Sequence, residues 1–163
     1  AQFPGVVGRM QVIQEKPFRV IVDFAHTPNA ITQVLKTVRP ETRKRLIHVF
    51  GSAGLRDVTK RPLMGSASAS FADIIVLTEE DYRTEDIEKI MDQIAAGIPA
   101  DKEVHRFPNR EDAIDFAIKQ AKPGDTVIMT GKGHEESLCR GKIEHPWSDQ
   151  GVARKILKNL KKA

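Results

Sequence analysis

The chain has 163 residues, 40% apolar and 29% charged, values of a folded globule and not of a disordered or fibrous chain. One cysteine, Cys139, excludes a disulfide framework and a thiolate zinc site built within one chain, and no apolar run approaches the ~20 residues that span a bilayer. The net charge of +4 comes from residues 154–163, which carry five lysines and arginines and no acid; the other 21 basic residues face 22 acidic ones, so the excess reads as a basic last helical turn and no nucleic-acid partner is expected.

Residues 19–24 (RVIVDF) read as a buried strand, and 28–38 as a helix with proline in its first turn. Residues 45–50 (RLIHVF) are a strand, followed by a long glycine-containing loop over 51–60. Residues 62–72, rich in Ala, Ser and Met, predict a helix, and 74–78 (IIVLT) a β-branched strand. A helix is expected over 84–96, because Ile87, Ile90, Met91 and Ile94 fall on one face and Thr84 suits an N-cap. A short strand at 104–107 precedes a helix at 110–120 capped by Asn109, with Ala113, Ile114, Ala117 and Ala121 as its apolar stripe. Residues 126–130 are a strand, 138–145 a hairpin turning at Gly141-Lys142, and 148–162 a closing helix with Val152, Ile156 and Leu160 on one face.

Strands separated by helices of about a dozen residues need crossover connections, so the sheet should be mainly parallel and the fold a doubly wound α/β domain. Such domains bind ligands outside the carboxyl ends of their strands. The loops expected there carry Asp23 and His26, then Arg56 and Asp57, then Glu79, Glu80, Asp81, Tyr82 and Arg83, and finally Gly131-Lys132-Gly133-His134-Glu135. The last is not a Walker A loop, which needs Gly at Thr126 and Ser or Thr at Gly133; it remains either a tight turn or an anion-holding nest. The five histidines show no metal-ligand spacing, and neither a Ser-His-Asp order nor a nucleophile elbow is present, so no catalytic residue and no metal site are assigned. Arginines beside acids suit a zwitterionic amino acid, although each also reads as a solvated surface pair.

Gly8-Arg9-Met10, residues 22–29 (VDFAHTPN), the 49–57 stretch ending Gly54-Leu55-Arg56-Asp57, residues 60–65 (KRPLMG) and residues 131–135 (GKGHE) occur in the order of, and resemble, the carboxy-terminal domain of the Mur ligases, nearest their tripeptide-synthetase (MurE) branch. The resemblance runs over essentially the whole chain. It implies a Rossmann-like mixed sheet with helices on both faces, the whole chain as one amino-acid-binding domain, and residues 1–9 as a linker from a central ATPase domain. It implies a cytoplasmic, monomeric enzyme using ATP and Mg, held mainly by that central domain, to join a diamino acid, meso-diaminopimelate favoured, to UDP-N-acetylmuramoyl-dipeptide. By position, Arg9, Asp23 and His26 would approach the nucleotide. Arg56, Glu80, Asp81, Tyr82, Arg83, Gly131 and Glu135 would hold the amino acid. The family loop Asp-Asn-Pro-Arg is here Glu80-Asp81-Tyr82-Arg83, which leaves lysine or ornithine open. A folylpolyglutamate- or cyanophycin-synthetase-like domain and a non-catalytic α/β binding module are the alternatives.

Overall fold

The computed structural model describes residues 6–162, so the first five residues of the expected linker lie outside the described residues. The strands Gln11–Gln14 (β1), Arg19–Asp23 (β2), Leu46–Phe50 (β3), Ile74–Leu77 (β4), Glu103–Arg106 (β5) and Thr126–Thr130 (β6) form one sheet in the order β1-β2-β6-β3-β4-β5. All neighbouring pairs are parallel except β1 with β2. Ser137–Arg140 (β7) and Ile143–Pro146 (β8) form a separate antiparallel hairpin. The expected mixed, mainly parallel α/β fold is what is observed.

β2, β3, β4 and β6 are near-continuous Val/Ile/Leu runs because both faces of the sheet are covered. Val20, Val22, Ile47, Val49, Val127 and Met129 point to the side of Arg110–Gln120 (α4) and Asp149–Lys162 (α5). The alternate residues Ile21, Leu46, Phe50, Ile75, Leu77 and Ile128 point to Pro28–Val38 (α1), Lys60–Ala69 (α2) and Ile87–Ala95 (α3). Each fully buried side chain of this kind contributes ~1.5–3 kcal/mol. Helix starts follow local chemistry: Thr27 Oγ1 accepts the Ala30 N–H ahead of Pro28, and Asn109 Oδ1 accepts from Glu111 and Asp112. Among the described residues no helix is long and apolar enough to cross a membrane.

The structure corrects several boundaries. β1 (QVIQ) is too short and half-buried to announce itself, and its order comes from pairing along β2. The third helix starts at Ile87 under an Asp86 cap and not at Thr84, because Arg83 is left-handed (φ 55°) and Glu85 is drawn toward α2. α2 runs from Lys60 to Ala69, shifted toward the amino terminus from the expected 62–72. The inward stripe of α4 includes Ile118, and that of α5 is Ala153, Ile156 and Leu157.

Candidate functional site

The polar loops after β2, β3, β4 and β6 emerge at one edge of the sheet, as parallel strands require. After β2, Asp23 is buried and each carboxylate oxygen accepts a backbone amide: Oδ2 from Met10 and Oδ1 from Ala25, both at 2.8 Å. It fastens the turn containing Arg9 to the strand end. Gly8 in that turn (φ 75°) admits no side chain, since a Cβ would strike the backbone of His134. The His26 Nδ1–H donates to the Phe24 carbonyl at 2.9 Å, which leaves Nε2 free to act, and Phe24 lies between the rings of His26 and His134. Arg9, Asp23 and His26 thus line one depression of about 320 Å³ with Ala30, Gln33 and Val34. The three residues expected at the nucleotide are brought together.

The loops after β4 and β6 meet beside it. Three of the four acids and bases of the β4 loop go to different partners, and Glu80 to none. Glu79 is held bidentately by Arg140 at 2.6 and 2.9 Å, and also accepts the Arg110 N–H. Asp81 Oδ1 accepts from Lys132 Nζ at 3.0 Å and from the Cys139 N–H at 2.7 Å. Lys132 also donates to Glu135 Oε2 at 3.1 Å. Arg83 therefore has no carboxylate partner among the described residues; its Nη1 donates to the carbonyls of Gly54 and Asp81. Glu80 is 7% exposed, and its Oε2 is buried with no hydrogen-bond partner. Burial pushes its pKa up to about 7, although Arg110 and Lys132 pull the other way. Gly131 (φ 109°) lies against this carboxyl, where a Cβ would overlap Glu80 Oε2. Glu80, Asp81, Arg83, Gly131 and Glu135 form one cluster. Arg56 is exposed on the adjacent β3 loop without a partner among the described residues, and Tyr82 packs against the core instead of joining the cluster.

Sequence reasoning missed the charged residues that hold these loops. Arg61 is fully buried, paired bidentately with Glu85 at 2.8 Å and bonded to Gln93 and the Ala53 carbonyl. Glu85 also accepts the Leu55 N–H, and its bonds to Arg61 hold its pKa near 2. Arg110 and Asp149, both fully buried, make a second bidentate pair, and Arg110 reaches the carbonyls of Glu79 and Thr130. Lys60 and Arg61 stand in the quoted KRPLMG motif, the only hint the sequence offered. Among the described residues four that are not glycine have left-handed backbones, Met10 in the turn before β1, Leu55, Asp81 and Arg83, and all four lie at this edge. Among the described residues no group of three or more His, Cys, Asp or Glu side chains is placed to hold a metal.

Comparison with known proteins gives this edge a context. The family described as Mur ligase, glutamate ligase domain matches residues 8–133. A UDP-N-acetylmuramoyl-L-alanyl-D-glutamate–2,6-diaminopimelate ligase of Lawsonia intracellularis is 45% identical over 157 residues, covering 96% of this chain and 33% of that protein. The enzyme of the same name from Clostridioides difficile is 43% identical, with 96% and 33% covered. A solved structure of a ligase with that name superposes with a TM-score of 0.91 at 38% identity, over 98% of this chain and 33% of its own. A folylpolyglutamate synthase of Mycobacterium tuberculosis, at 24% identity and a TM-score of 0.61 over 78% of this chain and 30% of its own, shares the fold alone. The chain spans about one third of the length of the curated relatives it matches. It belongs to the Mur ligase family, as the glutamate ligase domain.

Proposed function

We propose that the full-length protein is an ATP-dependent ligase that adds diaminopimelate to UDP-N-acetylmuramoyl-L-alanyl-D-glutamate, and that this domain presents the incoming amino acid. The observation that carries the reading is the Arg83 guanidinium, fixed by two carbonyls and matched by no carboxylate among the described residues, in the same loop cluster as the partly exposed Glu135 carboxylate. Arg83 donates to a carboxylate and Glu135 accepts from an ammonium, the two groups at the far end of diaminopimelate. Lys132 matches the charge that Asp81 adds where the family loop has Asn, which supports diaminopimelate over lysine. The names of the relatives support the same substrate.

Arg9, Asp23 and His26 face the nucleotide in this reading. Asp23 retains a lone pair on each oxygen for ribose hydroxyls, and His26 Nε2 stands ready as a donor or acceptor. ATP activates the substrate carboxylate as an acyl phosphate, and the amine of the presented amino acid displaces phosphate to form the amide. Magnesium, held mainly by the rest of the protein, would neutralise charge on the phosphates. A cytoplasmic, monomeric enzyme fits this reading.

The test is Arg83→Ala in the full-length ligase. Losing one partner of a partly desolvated charge pair costs roughly 2–4 kcal/mol, on the order of 30- to 1000-fold in kcat/KM for diaminopimelate. A preference for lysine or ornithine that Arg83→Ala leaves unchanged would overturn the assignment.

A further inference from the structure

Fully buried lysines are rare, because the ammonium gives up its water and must be matched inside. Lys132 is one, and its Nζ lies between Asp81 Oδ1 at 3.0 Å and Glu135 Oε2 at 3.1 Å. These carboxylates belong to the two loops that also carry Glu80, Gly131 and Arg83. Nearby charges are matched elsewhere: Glu79 by Arg140, and Arg110 by Asp149. The cluster is therefore Glu80, Asp81 and Glu135 against Lys132 and Arg83. Removing the Lys132 charge makes it one unit more negative. Removing the Asp81 charge makes it one unit more positive.

We propose that Lys132 is a specificity-determining residue: an internal counter-ion that holds Asp81 and Glu135, so that the cluster suits a substrate end bearing both an ammonium and a carboxylate and not one bearing an ammonium alone. The proposal rests on the reading of this cluster as the diamino-acid site. The far end of diaminopimelate has no net charge, whereas the side chain of lysine or ornithine carries +1. A unit change in the charge of the cluster therefore acts mainly on the cationic side chains. Lys132 acts through its two carboxylate neighbours and is in this sense a positioning residue. Asp81→Asn offers a conservative probe, since an amide oxygen can still accept the Cys139 N–H that Asp81 caps.

The experiment measures kcat/KM of the full-length ligase for diaminopimelate, lysine and ornithine in four variants beside wild type. Lys132→Met should raise the lysine-to-diaminopimelate ratio by ~10-fold or more, and Asp81→Asn should lower it by at least ~3-fold. Lys132→Arg and the charge-balanced double variant Lys132→Met/Asp81→Asn should keep the lysine-to-diaminopimelate ratio within ~3-fold of wild type, whatever their overall activity, since neither alters the net charge. Shifts of opposite sign are a pattern that general loosening of the loops does not produce. If Lys132→Met alone loses its cooperative unfolding transition, Asp81→Asn and the double variant decide the matter. Ratios that move together, or stay at the wild-type value in both Lys132→Met and Asp81→Asn, overturn the role of Lys132. A wild-type enzyme that fails to join diaminopimelate overturns the underlying reading instead, whatever the variants do.

Discussion

Replacing Glu80 with glutamine should create a stability difference from wild type that grows with pH. Burial raises the Glu80 carboxyl from 4.5 to about 7, so between those values the folded chain keeps a proton that the unfolded chain has released. The sign follows directly. The wild-type contribution is full below pH 4.5 and is lost as pH rises through about 7, because the folded state must then hold a charge in a poorly solvated place. At 1.36 kcal/mol per pH unit, the window from 4.5 to about 7 amounts to about 3 kcal/mol. Glutamine does not titrate, so its stability advantage over wild type should increase by about 3 kcal/mol between pH 4 and pH 8. A fixed gain or loss from the new amide cancels when the two pH values are subtracted. The titration of His48, whose pKa burial lowers to about 3, is common to both proteins and cancels when they are subtracted. Urea unfolding of the domain at pH 4, 6 and 8 reads the effect; in a thermal scan it amounts to roughly 10 °C for a chain of this size. A gap between variant and wild type that is constant with pH, or that narrows as pH rises, would refute the reasoning. It would place Glu80 in an ion pair, not beside one.

Arg61→Ala should cost roughly 3–5 kcal/mol in chemical denaturation, because Glu85, Gln93 and the Ala53 carbonyl lose a fully buried partner. Glu85→Gln should flatten the acid limb of the stability curve. The depressed Glu85 pKa stabilises the fold above 4.5, and that contribution disappears as pH falls toward about 2. Asn109→Ala should lower stability by about 1 kcal/mol by removing the acceptor of two amides at the start of α4. The isolated domain should show no steady ATP turnover, since it contains no Walker A loop; phosphate release that a point change in the domain abolishes would contradict this.

The elements of this fold were legible wherever burial leaves a pattern. Apolar runs such as IIVLT and RLIHVF occur because those strands are covered on both faces, and the loops between them carry Asp23, Arg83 and Gly131 to one edge as a parallel sheet must. β1 was not legible, because QVIQ owes its conformation to a neighbour. The buried charges were not legible either. Nothing in the sequence marks Arg61, Arg110 and Lys132 as buried, since each is matched by a carboxylate 24, 39 or 51 positions away. Asp81 shows the limit most clearly. Nothing in the sequence of its loop shows that Lys132, 51 positions away, reaches it. Glu85 similarly looked like the first turn of a helix, and its pull toward Arg61 delays that helix by three residues.

Four side chains with left-handed backbones stand at the edge that carries the site, and none of the other described non-glycine residues adopts this conformation. Each costs roughly 1 kcal/mol that glycine would not. A laboratory selection for heat resistance would accordingly enrich glycine at Met10, Leu55, Asp81 and Arg83. At Asp81 and Arg83 the enriched change would delete the anchor of Lys132 and the unmatched guanidinium. Selection for survival of heat and selection for turnover would then pull the same codons in opposite directions, and a lineage kept under both would leave these positions unchanged while the rest of the chain drifts.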